Sequence, residues 1–197
     1  TLTLALTGDH LARPVAAGLY WSYLTAATLA VGLVWCKRRP ASRFGPLLMV
    51  FGVLIWIMSW QGSDWPLLFN LGVLAEAPAW LLTIYLFLAF PMGRIEPPAA
   101  RWPMWGLGIG ALFTFLPWAL FSPVITGGGP LTRCAPNCPA NVLQIGSDPK
   151  LAEVAGKAET YIALTLTAAV LALYLMRLLR ASKPQRRSLA AVAVTSL

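Results

Sequence analysis

Long apolar runs alternate with short polar or basic connectors along the whole chain. Five of these runs, at residues 15–36, 46–60, 67–90, 103–122 and 160–176, predict helices that cross a membrane. A helix rises about 1.5 Å per residue, so about 20 apolar residues cross a hydrocarbon core of about 30 Å. The run 46–60 is short, and we expect it to gain length from residues 44–45 and 61–63. Residues 188–197 predict the first part of a sixth span.

The predicted fold class is therefore all-α: a polytopic transmembrane helical bundle that forms one membrane-embedded domain, with five full spans and a truncated sixth. Residues 123–159 predict the one long aqueous loop. Composition agrees, since 58% of the 197 residues are hydrophobic and 11% are charged, against about 45–50% and about 25% in soluble domains. A soluble enzyme, a disordered tail and a disulfide-rich secreted domain are excluded.

The basic residues predict the orientation of the bundle. Of 15 Lys and Arg residues, 11 fall in segments 37–45, 92–102 and 177–187, which places these connectors in the cytoplasm. The N-terminus is then outside and loop 123–159 is extracytoplasmic. Because the basic residues are dispersed over three membrane-edge connectors, the net charge of +8 predicts no nucleic-acid partner. The predicted partner is the lipid bilayer.

Glu76 is the leading candidate for a functional residue, because an ionisable side chain within a span is costly and usually faces a bundle interior or a cavity. Pro78, two residues on, cannot donate a hydrogen bond to the carbonyl of Leu74, which predicts a kink beside the acid. The predicted sensing cavity consists of Glu76, Trp80, Thr83 and Asn70. The alternative is a structural role, in which a neutral Glu76 is satisfied by a hydroxyl or indole of a neighbouring helix.

Two cysteines, Cys134 and Cys138, lie in the predicted outer loop. An oxidising compartment favours a disulfide between them, and the prolines at 136 and 139 favour the tight turn that so short a ring needs. Metal-binding or redox-sensing thiols, and unpaired thiols, remain alternatives, although two thiols without a nearby His supply only half of a zinc site.

No catalytic or metal-binding motif is found in the sequence. His10 is the single His; it lies before the first span on the predicted outer side, and we expect nothing near it that acts as a base, a nucleophile or a metal ligand. Phosphate-binding, dinucleotide-binding and hydrolase motifs are absent. We expect this segment to have no catalytic residues and no cofactor of its own.

Four features in the same order resemble a known arrangement. They are the sequence at 39–48 before the second span, the sequence at 88–94 that closes the third, residues 134–143 in the outer loop, and the basic connector before the last span. This order resembles the membrane-embedded amino-terminal half of bacterial two-component sensor histidine kinases of the actinobacterial type. The chain begins at Thr1 and stops at Leu197 within an apolar run, which favours a segment of a longer protein.

The resemblance implies a sensor module in a bacterial plasma (inner) membrane. It also implies a homodimer, a response regulator as partner, and an ATP-dependent protein-histidine kinase domain beyond Leu197 that binds ATP and Mg. Two alternatives stay open. One is a small polytopic transporter or channel, which predicts internal repeats that we do not find. The other is the same sensor bundle joined to a different output domain.

Overall fold

The computed structural model describes residues 1–90, 93–95, 101–126, 131–132, 134 and 137–180, and within them it is helical with no strand. The helices are α1 (Leu2–Leu6), α2 (Pro14–Arg38), α3 (Phe44–Met58), α4 (Pro66–Leu74), α5 (Glu76–Ala89), α6 (Arg101–Phe121) and α7 (Pro149–Arg180), and a 3₁₀ turn (Ser59–Gly62) follows α3. The truncated sixth span predicted at 188–197 lies outside the described residues.

Three helical segments are long and apolar enough to cross a membrane: Pro14–Arg38, Phe44–Gly62 and Pro66–Ala89. They support a membrane protein and match the first three predicted spans. The second extends beyond 46–60 at both ends, as expected. Helix α3 begins at Phe44, and the 3₁₀ turn continues it to Gly62. Within α6, the shorter segment Gly108–Phe121 is also apolar.

The third segment is broken where the sequence predicted a kink. Helix α4 ends at Leu74, Ala75 is a turn residue, and α5 begins at Glu76. Pro78 lacks the N–H that would bond the carbonyl of Leu74, so the helical ladder cannot pass uninterrupted through this point. The break places Glu76 in the first turn of a new helix.

Helix α7 begins earlier than the sequence analysis expected, within the predicted loop 123–159. Asp148 explains this start: its Oδ1 accepts hydrogen bonds from the backbone N–H groups of Lys150 (3.1 Å) and Leu151 (3.0 Å), and Pro149 suits the first helical position. Ala152 and Ala155 are buried and fix the first turns against the bundle. The irregular part of the loop therefore ends at Asp148.

Buried residues form three clusters along the bundle. Ile84, Leu88 and Leu166 belong to the cluster at the end that carries the 38–44 and 93–95 connectors. Two further clusters lie at the opposite end, one beneath α1 around Trp21 and one beneath the loop around Phe69. The N-terminal segment, the 3₁₀ turn and the loop thus pack together at one end of the molecule, and the candidate site lies there.

Candidate functional site

Gln61, in the 3₁₀ turn, is the centre of a polar cluster and is fully buried, with 0% of its surface exposed. Its Nε2 donates hydrogen bonds to Glu76 Oε1 (2.7 Å) and to the Gly72 carbonyl (3.2 Å). Its Oε1 accepts a hydrogen bond from the Thr132 hydroxyl at 3.1 Å. Both amide hydrogens are used, so this side chain ties the loop that contains Thr132 to α4 and to the first turn of α5.

Close backbone approach makes these contacts possible. A Cβ added to Gly72 would lie 2.6 Å from the backbone nitrogen of Gln61, a distance that real side chains do not reach. Glycine is therefore needed at position 72 for α4 to pack directly on the 3₁₀ turn. In the structure, the surface of Gly72 is occupied by Gln61.

His10 closes the cluster from the N-terminal segment, with only 3% of its side chain exposed. Its Nδ1 lies 2.6 Å from Asp64 Oδ1 and its Nε2 lies 2.9 Å from the Gln61 carbonyl oxygen. The Asp64 carboxylate and the Gln61 carbonyl both accept hydrogen bonds, so the two ring nitrogens of His10 face acceptors on both sides. The edge of the ring also meets Phe69, with centroids 5.6 Å apart.

The Asp64 carboxylate is the outermost member of the cluster. Burial alone would raise its pKa, but hydrogen bonds from the Asp9 N–H (2.8 Å) and the His10 ring, together with the His10 charge, lower the pKa below its usual value near 3.8. The structure corrects the expectation that nothing near His10 resembles a base, because folding brings the Asp64 carboxylate beside the ring. The carboxylate comes from 54 residues further along the chain, so local sequence gave no sign of the pair.

The four residues of the predicted sensing cavity separate into two groups. Glu76, Trp80 and Thr83 line one cavity of about 270 Å³ between α2, α3 and α5. Asn70 lies apart and is fully buried. Its Nδ2 donates to the carbonyls of Pro66 (2.6 Å) and Ala140 (3.0 Å), so it anchors the loop between α6 and α7 and does not line the cavity.

Cys134 and Cys138 form a disulfide in this structure, with 4.7 Å between their Cα atoms. Cys134 is 2% exposed and packs in the cluster that contains Phe69 and Phe115. Just after the disulfide, Asn141 Nδ2 donates hydrogen bonds of 2.7 Å to the carbonyls of Ala119 and Ser122 at the end of α6. The loop is thereby folded back onto the ends of α4 and α6.

The sequence analysis missed Gln61, Thr132 and the pairing of His10 with Asp64. A Gln beside Gly and Ser has the composition of an exposed turn, and only packing against residues 72 and 132 buries it. One signal for the His10–Asp64 pair was available in the sequence. His10 precedes the first predicted span and Asp64 precedes the third, so both were predicted on the same side of the membrane. In the described part of the chain, no three His, Cys, Asp or Glu side chains lie together as metal ligands.

Comparison with known proteins adds no family. No protein-family model matches the chain, and neither a curated protein nor a solved structure matches it.

Proposed function

We propose that this chain is a membrane-embedded sensor module, which relays a stimulus from the outer loop or from within the bilayer to the opposite membrane face. The observation that carries the proposal is the bridge through Gln61. One buried side chain contacts Thr132 in the loop and Glu76 at the break between α4 and α5. A displacement of the loop must alter the contacts of Gln61, and with them the point where the third segment bends.

The finer architecture belongs to the same proposal. We infer five full spans, with α6 and α7 as the fourth and fifth, a further span after them, and the N-terminus outside. The charge distribution supports this orientation, since Lys37, Arg38, Arg39, Arg43 and Arg94 gather at one end while Asp9, Asp64 and Asp148 belong to the other.

The cytoplasmic output of this sensor is proposed from the resemblance to bacterial two-component sensor histidine kinases. It is a two-component sensor histidine kinase of a bacterial plasma membrane, with a homodimeric cytoplasmic kinase domain beyond Leu197 that phosphorylates a response regulator. Reading the gene past codon 197 tests this part. A His-containing helical hairpin followed by an ATP-binding domain supports the kinase, whereas a different output domain overturns it and leaves the sensor bundle intact.

Coupling between the two faces is tested in phospholipid nanodiscs. Reductant-stable gadolinium labels are attached through thioether bonds to Lys37→Cys and Arg94→Cys in a Cys36→Ser background, and the distance between them is measured by electron spin resonance. A membrane-impermeant phosphine then opens the Cys134–Cys138 disulfide. We expect the distance distribution to shift, and the shift to be lost in Gln61→Leu. An unchanged distribution, or an equal shift in Gln61→Leu, overturns the proposal.

Transport is the competing function and needs its own measurement. In liposomes with an entrapped pH-sensitive dye, the sensor proposal predicts no proton flux above that of empty liposomes. A flux that disappears in Glu76→Gln would instead identify a transport pathway and contradict a purely sensory role.

A further inference from the structure

An apolar groove runs along the outside of the bundle between α3, α5 and α6. Its volume is about 710 Å³, well within the range of about 300–1,000 Å³ for sites that bind small molecules. We call it the α3–α5–α6 groove. Its lining includes Leu47 of α3, Leu81, Leu82 and Tyr85 of α5, and Gly108 and Ile109 of α6.

The length and opening of this groove suit the acyl chains of a lipid. Its α5 lining recurs at one-, three- and four-residue spacing from Ala77 to Tyr85, which keeps it on one face of that helix. At about 1.5 Å per residue this stretch spans about 12 Å, against about 15 Å for half of a hydrocarbon core of about 30 Å. On the α6 side, Ile109 is 52% and Trp105 is 68% exposed. The groove therefore opens outward, towards the bilayer.

Two arginines lie at the end of the groove that carries Tyr85. The Tyr85 hydroxyl donates a hydrogen bond of 3.3 Å to the carbonyl of Gly93, the residue before Arg94. A Cβ added to Gly93 would lie 2.6 Å from the carbonyl carbon of Arg43, so the two connectors touch here. The N–H of Leu47 donates to the Arg43 carbonyl at 3.3 Å, which places Arg43 one turn before a lining residue. Both arginines are exposed.

No acid within the described part of the chain neutralises these two arginines. The ion pairs found there involve His10 and Lys157, and the described residues 37–44 and 93–95 contain five basic side chains and no acidic one. Glu96 follows in the sequence and lies outside the described residues. A guanidinium group can hold a phosphate through two parallel hydrogen bonds, and basic sites between helices at a membrane edge bind anionic lipid headgroups.

We propose that the α3–α5–α6 groove binds an anionic phospholipid. Its acyl chains lie along Leu81 and Ile109, and Arg43 and Arg94 hold its phosphate. Apolar walls alone accept any lipid, whereas two adjacent cations favour a headgroup with net negative charge. Connector 37–44 joins two segments that are long and apolar enough to cross a membrane, so its arginines lie at headgroup depth. The proposal goes beyond the sensor function and does not depend on it.

Native mass spectrometry of the full chain tests the headgroup preference. The protein in detergent is equilibrated with equal amounts of phosphatidylglycerol and phosphatidylcholine that carry identical acyl chains, and the lipid-bound peaks are compared. We expect phosphatidylglycerol to be bound preferentially, with one molecule retained after activation removes the others. In Arg43→Gln with Arg94→Gln, the preference should fall roughly five- to thirtyfold, the equivalent of about 1–2 kcal/mol for two basic residues near anionic lipid.

A matched pair of charges separates the site from general attraction to a basic surface. Lys37→Gln with Arg38→Gln removes the same charge at the same end of the bundle, but from α2, which contributes none of the described lining residues. This control should keep most of the preference for phosphatidylglycerol. The side chain of Arg43 makes no capping hydrogen bond to α3, so its replacement leaves the start of that helix intact.

A second variant blocks the groove and leaves both arginines in place. A Cβ at Gly108 would lie 3.6 Å from Leu81 Cδ1, which is an ordinary contact, so Gly108→Leu should fold and occupy the space between α5 and α6. We expect it to lose the retained phosphatidylglycerol. Gly106→Leu is the control, because a Cβ there meets no atom of the described residues within 4 Å, and it should retain the lipid.

Three results would overturn the proposal. One is wild-type protein without a preference for phosphatidylglycerol, and another is an equal loss of preference in the two double variants. The third is phosphatidylglycerol that stays bound in Gly108→Leu. The same spectra report the mass of the assembly, and a dimer that disappears in Gly108→Leu would assign the groove to a second copy of this chain instead. None of these results depends on the gadolinium distances.

Discussion

Gln61 Nε2 lies 2.7 Å from Glu76 Oε1 and donates a hydrogen bond to it. The donor sits in the 3₁₀ turn after the second membrane segment, and the acceptor sits where the third segment breaks. The contact explains how a carboxyl group is accommodated between apolar helices: it has a buried amide partner, which is itself held by Thr132 and Gly72.

Removing the amide of Gln61 should destabilise the end of the bundle that carries the 3₁₀ turn and the loop between α6 and α7. In Gln61→Leu the Thr132 hydroxyl and the Gly72 carbonyl lose the buried side chain they bond, and we expect a loss of about 1–3 kcal/mol in the free energy of unfolding. Thermal or denaturant unfolding in detergent measures the loss. Gln144→Leu is the matched control, because among the described residues Gln144 donates to the nearby Gly146 carbonyl two residues away and not to another element. Equal effects of the two substitutions would contradict the central role of Gln61.

Gly72→Ala should destabilise the packing of α4 on the 3₁₀ turn. The added Cβ would lie 2.6 Å from the Gln61 backbone nitrogen, and overpacking of this kind costs about 1–3 kcal/mol. Gly106→Ala is the control, since a Cβ there meets no atom of the described residues within 4 Å, and alanine in a helix gains up to about 1 kcal/mol over glycine. The same unfolding assay should therefore give shifts of opposite sign.

Stability in acid should depend on Asp64. Its pKa is lower in the folded protein than its usual value near 3.8, so the unfolded chain binds more protons in this range. The stabilisation is complete above the unfolded pKa and is lost as the pH falls through the folded pKa.

Asp64→Asn should accordingly reduce stability at neutral pH and flatten the decline below about pH 4. Melting temperatures measured from pH 7 down to pH 3 test this. Asp9→Asn is the control, because it keeps the backbone N–H that bonds Asp64. A wild-type acid decline that persists unchanged in Asp64→Asn would contradict the assignment.

The Cys134–Cys138 disulfide should be present in the purified, unreduced protein. Intact-mass spectrometry of the unreduced, denatured protein should show that only Cys36, the free thiol among the described residues, reacts with an alkylating reagent. Closing so short a ring contributes about 2 kcal/mol through loop entropy, so Cys134→Ser with Cys138→Ser should lower the melting temperature measurably. Alkylation at three positions in the unreduced protein would show that these thiols are free.

Much of the architecture follows from the sequence because its causes are local. An apolar run of sufficient length predicts a span at residues 15–36, and a missing N–H at Pro78 predicts the break beside Glu76. The start of α7 was not predicted, because a helix that continues beyond the bilayer lacks an apolar signal, and the capping of Lys150 and Leu151 by Asp148 is a matter of geometry.

The sequence by itself determined that the chain is helical and membrane-embedded, and it drew attention to Glu76 and to the pair Cys134 and Cys138. Only the tertiary structure decided which polar groups meet. Gln61, Thr132 and His10 are far apart along the chain, and each resembles an ordinary surface residue until folding removes it from water. Their burial is stable only because the partners arrive together, a condition that no local pattern of residues records.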